Sequence, residues 1–239
     1  IPLDESLPDV EELMQGGVEG VEPLQVVNEP GAVWEYSAGG YALLEYLIEE
    51  ITEEPFEEYM QREILDPLGM ETSRYGYSPD HGSQAAVGHD AAQEPVEPVQ
   101  YPALAAAGLY STAGDLAHFL AAAMEGAGGR DVGAGVLSSS TVDMMLNPAA
   151  NTWSAFQYGE RGRAGLGYAL YTLRNNNLLV MQFSGGQGYR SLAAMIPGQG
   201  EGLVVLTNSD RGEEFSMRLL CAWSAWAVDN VPEMCIQVQ

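Results

Sequence analysis

From Gly40 the apolar residues fall at positions 43, 44, 47, 48 and 51, a stripe with the period of an α-helix. That helix is expected to end near Thr52. A second helix is expected over PFEEYMQREILDPLGM, with Pro55 in its first turn and Pro67 after its end. Upstream, residues 1–33 are rich in Pro, Gly and acids, and one short helix from Asp9 to Gln15 is readable there. The stretch VEPLQVVNEPGAVWEYS reads as extended, broken by a Pro30-Gly31 turn.

Residues 71–103 lack helical period. SPDHG and DAAQEP are turn signals, and AAVGHDAAQEPVEPVQ reads as a short hairpin. In AGLYSTAGDLAHFLAAAM, Ser111 or Thr112 is placed to cap a helix running to about Met124, with Asp115 three residues after Thr112. SSSTVDMMLNP reads as another capped helix, stopped by Pro148. After residue 150 the pattern changes. GLGYALYTL, LLVMQFS, YRSLAAMIP and EGLVVLTNS are successive strand candidates, with turns at residues 175–177 and 197–202. FSMRLLCAWSAWAV then gives a terminal helix over about residues 214–228. The expectation is one α+β domain over 1–239, mainly helices and loops over 1–150, then an antiparallel sheet with its terminal helix over 151–239.

Composition narrows the function. The chain carries 34 acidic residues against nine basic ones, all Arg, for a net charge of −25. Such a charge repels nucleic acid and anionic membrane surfaces. No apolar run reaches the ~18 residues of a membrane span, and no basic-then-apolar leader opens the sequence. It opens on Ile1 rather than Met, which reads as a processed or partial chain. The absence of Lys favours a surface adapted to high salt over an ordinary acidic protein.

Metal and cofactor motifs are not readable. His81, His89 and His118 lack ligand spacing and are read as structural. Cys221 and Cys235 form no CxxC; Cys221 reads as a small core residue, and a bridge between the two is left open. There is no GxSxG elbow and no glycine-rich phosphate loop after a strand.

Three stretches taken together carry a resemblance. PGAVWEYSAGGYALLEYLIEEITEEPFEEYMQREILDPLGMETSRY, AAVGHDAAQEPVEPVQYPALAAAGLYSTAGDLAHFLAAAM and QFSGGQGYRSLAAMIPGQGEGLVVLTN are similar, in order, to the middle and last parts of the serine β-lactamase and penicillin-binding-protein-like family, in its class C β-lactamase, DD-peptidase and esterase branch. The likeness implies a β-lactamase/transpeptidase-like fold whose N-terminal strands are missing here. It implies acyl transfer through a serine ester, on a β-lactam, a D-Ala-containing peptide or a small ester, with no cofactor.

That chemistry uses three elements in the family. A helical Ser-x-x-Lys places nucleophile and base one turn apart. A Tyr loop relays the proton. A strand with Lys or His, then Ser or Thr, then Gly binds the substrate and helps form the oxyanion hole. Carried over, the second element falls on Tyr36, the catalytic candidate, with Ser37 and Ala38, where relatives often have Asn. The third falls on Phe183, Ser184, Gly185 and Gly186, and the usual cation of that motif is absent, replaced by Phe183 or Ser184 depending on alignment. Arg190 is the nearest cation, either a stand-in for it or a strand tie. Ser37, Ser184, Gly185, Gly186 and Arg190 are thus the substrate-binding candidates. The first element cannot occur in a chain without Lys. A phenol is a weak base at neutral pH without a neighbouring cation. The alternative reading is therefore an inactive scaffold or binding module. Either way an open sheet edge is expected, completed by a separate N-terminal segment or by a second copy.

Overall fold

A computed structural model describes residues 1–239 except 19, 79–84, 127–128, 148–160 and 238–239, and only the backbone of 236–237. His81, Pro148 and the expected boundary at 150 therefore lie outside the described residues.

The helical part follows its caps. Helix α1 (Val10–Met14) starts at Asp9, whose carboxylate accepts from the Glu12 N–H at 2.7 Å. Helix α2 (Ala38–Thr52) starts at Ser37, whose hydroxyl accepts from Gly40 N–H at 2.9 Å. Helix α3 begins at Phe56 behind Pro55, passes through a π turn at Gln61–Leu65, and closes with Asp66–Leu68. Pro67, expected beyond the end, thus sits inside the last turn. The wider π turn, in which Asp66 N–H bonds to Gln61 C=O, accommodates a ring with no N–H to give. Gly69 then ends the helix in the left-handed region at φ 74°.

Two carboxylates on α2 hold its neighbours. Glu49 accepts from Phe56 N–H at 3.0 Å, at the start of α3. Glu45, only 4% exposed, accepts from Ala105 N–H at 2.8 Å in the short helix α4 (Leu104–Ala107). The two-residue strands β1 (Arg74–Tyr75) and β2 (Leu109–Tyr110) pair antiparallel and bring α3 against α4. Helix α5 (Ala113–Ala122) is capped by Thr112, which accepts from Asp115 N–H. Asp115 turns back to accept from Thr72 N–H, Thr72 hydroxyl and Ser73 hydroxyl at 2.7–2.9 Å. Helix α6 (Ser139–Leu146) is capped by Ser138.

Strands β3 (Gly162–Ala164), β4 (Ala169–Thr172), β5 (Leu178–Gly186), β6 (Tyr189–Ile196) and β7 (Glu201–Thr207) form an antiparallel sheet in chain order. Strand β3 is the one element of the sheet that the pattern did not announce; it is three residues long, and the small residues Gly162 and Ala164 flank its single Arg163 and blur alternation. The β4–β5 turn uses Asn176 at φ 64°, a conformation that asparagine tolerates, with the Asn175 side chain accepting from Asn177 N–H.

Side-chain alternation divides the core between the two faces of the sheet. Ala169, Tyr171, Leu173, Leu179, Met181, Leu192, Ala194 and Ile196 pack toward helix α7 (Gly212–Val228) around Leu220. Leu170, Val180 and Met195 face the other way, onto Leu120 and Met124 at the end of α5. Burying such side chains contributes roughly 1.5–3 kcal/mol each before the loss of chain entropy.

The cysteines are paired. Cys221 on α7 is bonded to Cys235 in the C-terminal 3-10 turn Glu233–Gln237, with a Cα–Cα distance of 5.6 Å. A helical period marks Cys221 as inward-facing but cannot show that the tail folds back over it. Tyr171 hydroxyl accepts from Glu233 N–H at 3.1 Å, and Met234 joins the core on the α7 side.

Candidate active-site wall

Beyond Met181, strand β5 loses its β4 neighbour. Among the described residues, Ser184, Gly185 and Gly186 pair in the sheet with β6 alone. Four of the expected site residues lie in this hairpin. The cross-strand partners are Ser184 with Ser191, Gly185 with Arg190, and Gly186 with Tyr189. Alternation separates them. Ser184, Gly186, Tyr189 and Ser191 share the face that carries Val180 and Met195, toward the helical part. Phe183, Gly185, Arg190 and Leu192 share the face toward α7, where Phe183 packs against the core.

Both glycines permit close approach. A Cβ on Gly185 would sit 3.0 Å from Arg190 Cδ, and one on Gly186 would sit 3.0 Å from the Tyr101 hydroxyl. Arg190 is committed within the fold. It donates to the carbonyls of Gly186 and Tyr189 at 2.6 Å and pairs with Asp210 at 2.8 Å. Asp210 also accepts from Gly188 N–H at 3.1 Å, which ties the hairpin tip to the end of β7. The strand-tie role allowed for Arg190 is the one its contacts describe.

The loop over residues 86–96 is stitched to the same tip. His89 N–H lies within hydrogen-bond reach of the Gly188 and Asn208 carbonyls, and Asp210 N–H bonds to His89 C=O at 2.9 Å. Tyr189 hydroxyl donates to Ala86 C=O at 2.8 Å, and Asn208 donates to Val87 C=O at 2.7 Å. Within the loop, the Gly88–Val96 and Asp90–Glu94 main-chain bonds form the expected hairpin. His118 bonds to Gly69 C=O through Nδ1 at 3.0 Å, far from this edge in sequence and engaged with the end of α3.

Tyr36 and Ser37 stand at the start of α2. Ser37 is occupied as the helix cap. Tyr36 is 78% exposed, and its hydroxyl has no hydrogen-bond partner among the described residues. No hydrogen bond joins either residue to the β5–β6 hairpin among the described residues.

Ionisation is perturbed nearby. Burial raises Glu45, the Ala105 and Leu104 amides opposing it. Asp115 is also buried, which alone would raise it, but the hydrogen bonds from Thr72 and Ser73 outweigh this and lower it. Burial, then Tyr189, Tyr101 and Tyr77, raises Tyr110. That tyrosine grouping escaped the sequence, because its members come from separate strands and loops with no shared period. Among the described residues no cluster of His, Cys, Asp or Glu is arranged to hold a metal ion, and no helix is long and apolar enough to cross a membrane.

A helical region against an antiparallel sheet with a terminal helix, and a glycine-bearing sheet edge turned toward the helices, define a β-lactamase/transpeptidase-like fold. A family model described as Beta-lactamase matches residues 2–220, and the chain belongs to that family. Solved structures agree on the fold. An octameric penicillin-binding protein homologue from Pyrococcus abyssi superposes with a TM-score of 0.71 at 24% identity, over 95% of this chain and 54% of that one. A beta-lactamase/D-alanine carboxypeptidase from Pseudomonas syringae gives 0.69 at 20% identity, over 92% and 65%. A D-amino acid amidase from Ochrobactrum anthropi SV3 gives 0.65 at 21% identity, over 90% and 67%. A stretch of 72 residues is 31% identical to PbpX of Bacillus subtilis (strain 168), named as a penicillin-binding protein, covering 30% of this chain and 18% of that one. The chain therefore spans between about half and two-thirds of these structures, and less than a fifth of that relative.

Proposed function

We propose that the chain forms the substrate-binding wall of a β-lactamase-like serine hydrolase. The observation that carries this reading is the edge of β5 at residues 184–186, beyond its pairing with β4, with Ser184 and Gly186 turned toward the helical part. Main-chain N–H and C=O groups on a free edge bind an extended amide-bearing ligand as an added strand would. Substrates of this kind are a β-lactam, a D-Ala-containing peptide or a small ester, in line with the carboxypeptidase and amidase named among the similar structures.

The nucleophile and its base come from outside these 239 residues, which hold no Lys and so no Ser-x-x-Lys. In the proposed cycle, the serine oxygen bonds to the substrate carbonyl carbon and its proton passes to the neighbouring base. The departing amine or alkoxide takes a proton through the Tyr36 phenol. Water then attacks the acyl ester, and the serine recovers its proton as the acid departs. Ser184 and the β5 main chain hold the substrate meanwhile.

Two surfaces support completion by further protein. Strand β7 has an outer edge with no pairing strand among the described residues, and Glu201 is its single charge. Helix α7 carries an exposed apolar stripe of Phe215, Leu219 and Trp226. A segment carrying Ser-x-x-Lys is the proposed occupant. A second copy is the alternative, and the octameric homologue lends it weight.

The second functional reading is a scaffold or binding module without chemistry. Phe183 favours it, since its side chain packs toward α7 at the position where relatives carry Lys or His. A fluorescent penicillin or a fluorophosphonate separates the two. The proposal expects covalent labelling of a product that includes Ser-x-x-Lys. A full-length product that stays unlabelled is the scaffold.

A further inference from the structure

Helix α2 carries its apolar stripe on the outside. Leu43, Leu44, Leu47 and Ile51 fall within about a third of its circumference, and each is between 48% and 72% exposed. The opposite side holds the buried Ala42 and Glu45 together with Glu49, and it meets α3 and α4 through the Glu49–Phe56 and Glu45–Ala105 hydrogen bonds. A helix at a protein surface ordinarily turns its leucines inward and its carboxylates outward. In α2 the two are exchanged: a small side chain and hydrogen-bonded carboxylates serve this chain's own packing, while three leucines and an isoleucine face away from it. Exposed leucines scattered singly are ordinary, but four on one face of one helix form a contact surface. Tyr41 extends it toward the sheet. Its hydroxyl lies 3.6 Å from where a Gly167 Cβ would stand, next to the half-exposed Leu166 in the β3–β4 turn.

Charge and chain length narrow what covers this face. Residues 1–61 contain no Arg, Lys or His, while Glu35, Glu50 and Glu53 are exposed on and around α2. A second copy of the same face would set carboxylates against carboxylates. An apolar helix that brings a cation meets no such opposition, and a segment with Ser-x-x-Lys brings one. The octameric homologue shows that chain of sufficient length accompanies this fold: the present chain covers 54% of it, so nearly half of that protein has no counterpart here. The face also starts at the proposed site, since Tyr36, 78% exposed, immediately precedes the Ser37 cap of α2.

From this we infer that the outward face of α2 is the seat of a helix from the segment that carries Ser-x-x-Lys. The seated helix sets apolar residues at helical spacing against Leu43, Leu44, Leu47 and Ile51. Its Ser-x-x-Lys lies by the Tyr36 end of α2, where Glu35 is exposed. The inference rests on the reading of this chain as one wall of a serine hydrolase, and it names the surface that receives the other wall.

Hydroxyl-radical footprinting read by mass spectrometry tests it without any substitution, on the 239-residue chain beside a longer product carrying Ser-x-x-Lys. Oxidation of Leu43, Leu44, Leu47 and Ile51 is expected in the shorter chain and falls severalfold in the longer product. The double variant Leu47→Gln, Ile51→Gln gives a second readout. Gln forms helix as readily as Leu or Ile, so the melting temperature of the 239-residue chain stays unchanged. In the longer product the same pair lowers it by several degrees and slows penicillin labelling severalfold. Equal oxidation in the two proteins overturns the seat, and so does a melting temperature that the pair leaves unchanged in the longer product. A 239-residue chain that light scattering finds dimeric, and that the double variant renders monomeric, gives the face to a second copy and overturns it as well. The underlying reading is judged apart, by the unsubstituted longer product: protection of the α2 face without penicillin labelling keeps the seat and overturns the serine hydrolase.

Discussion

Ser184 and Arg190 lie one register position apart on one hairpin and so face opposite sides of the sheet. Ser184 looks toward the helices, and Arg190 looks toward α7, where Asp210 holds it at 2.8 Å. We propose that a cation so held ties strands rather than meeting a ligand at the β5 edge. Arg190→Gln is therefore expected to lower stability by about 1–3 kcal/mol, the usual range for lost charged hydrogen bonds in partly buried places. Ligand affinity at the β5 edge should be unchanged once folding is corrected for. Denaturant unfolding and ligand titration on the same variant check both halves.

The Cys221–Cys235 bond closes a loop with a sequence separation of 14. It fastens the tail that supplies Met234 to the core and Glu233 to Tyr171. Reduction, or Cys221→Ser with Cys235→Ser, should cost about 2–4 kcal/mol and roughly 5–10 °C of melting temperature. Thermal melts with and without reductant measure it, and thiol titration of the unreduced chain should find no free thiol.

Glu45 and Asp115 bend the pH profile in opposite directions. Burial first, and then Glu49 and Glu57, push Glu45 above the ordinary glutamate value against its backbone hydrogen bonds. Its contribution is complete below that ordinary value and declines as pH rises through the raised one. Asp115 is lowered overall, so its contribution is present above the ordinary aspartate value and is lost as pH falls through the lowered one. Glu45→Gln keeps an oxygen for Ala105 N–H and removes the charge. It should be more stable than the parent at pH 7 and equal to it near pH 4. Asp115→Ala should lose about 2–4 kcal/mol at neutral pH, because Thr72 and Ser73 are left without their acceptor. Urea unfolding across pH 4–8 reads both.

A net charge of −25 with nine Arg leaves most carboxylates without a cationic neighbour. Salt shortens the reach of their repulsion from about 10 Å at 0.1 M to about 3 Å at 1 M. The proposed adaptation to high salt predicts a melting temperature that rises steadily with potassium chloride and partial unfolding on dialysis into low salt. A melting curve independent of salt would return the chain to the ordinary acidic class.

Much of this architecture was legible in the chain. Thr112 and the serines of SSSTVDMMLNP announced their helices, because capping is local chemistry written into a few consecutive residues. LLVMQFS and YRSLAAMIP, bounded by turn signals, identified β5 and β6 in the same local way. Long-range relationships were not legible. Pro67 was read as a stop, whereas a π turn absorbs it. The face on which Arg190 lies depends on strand register, and the Cys221–Cys235 pair depends on the tail's return over α7. The contacts of Gly186 with Tyr101 and Tyr189, and of Tyr77 with Tyr110, join residues that only the folded chain brings together. Tyr36 and Ser37 were recognisable by family likeness, and the structure adds that Ser37 is spent on the cap of α2.

The central claim is that this chain holds the substrate wall while the nucleophile comes from elsewhere. Intact-protein mass spectrometry after exposure to a penicillin tests it most directly, with the 239-residue chain beside a longer product carrying Ser-x-x-Lys. The account predicts no mass increase on the 239-residue chain and one penicilloyl adduct, on that serine, in the longer product. A stoichiometric adduct on a serine of the 239-residue chain itself would contradict it.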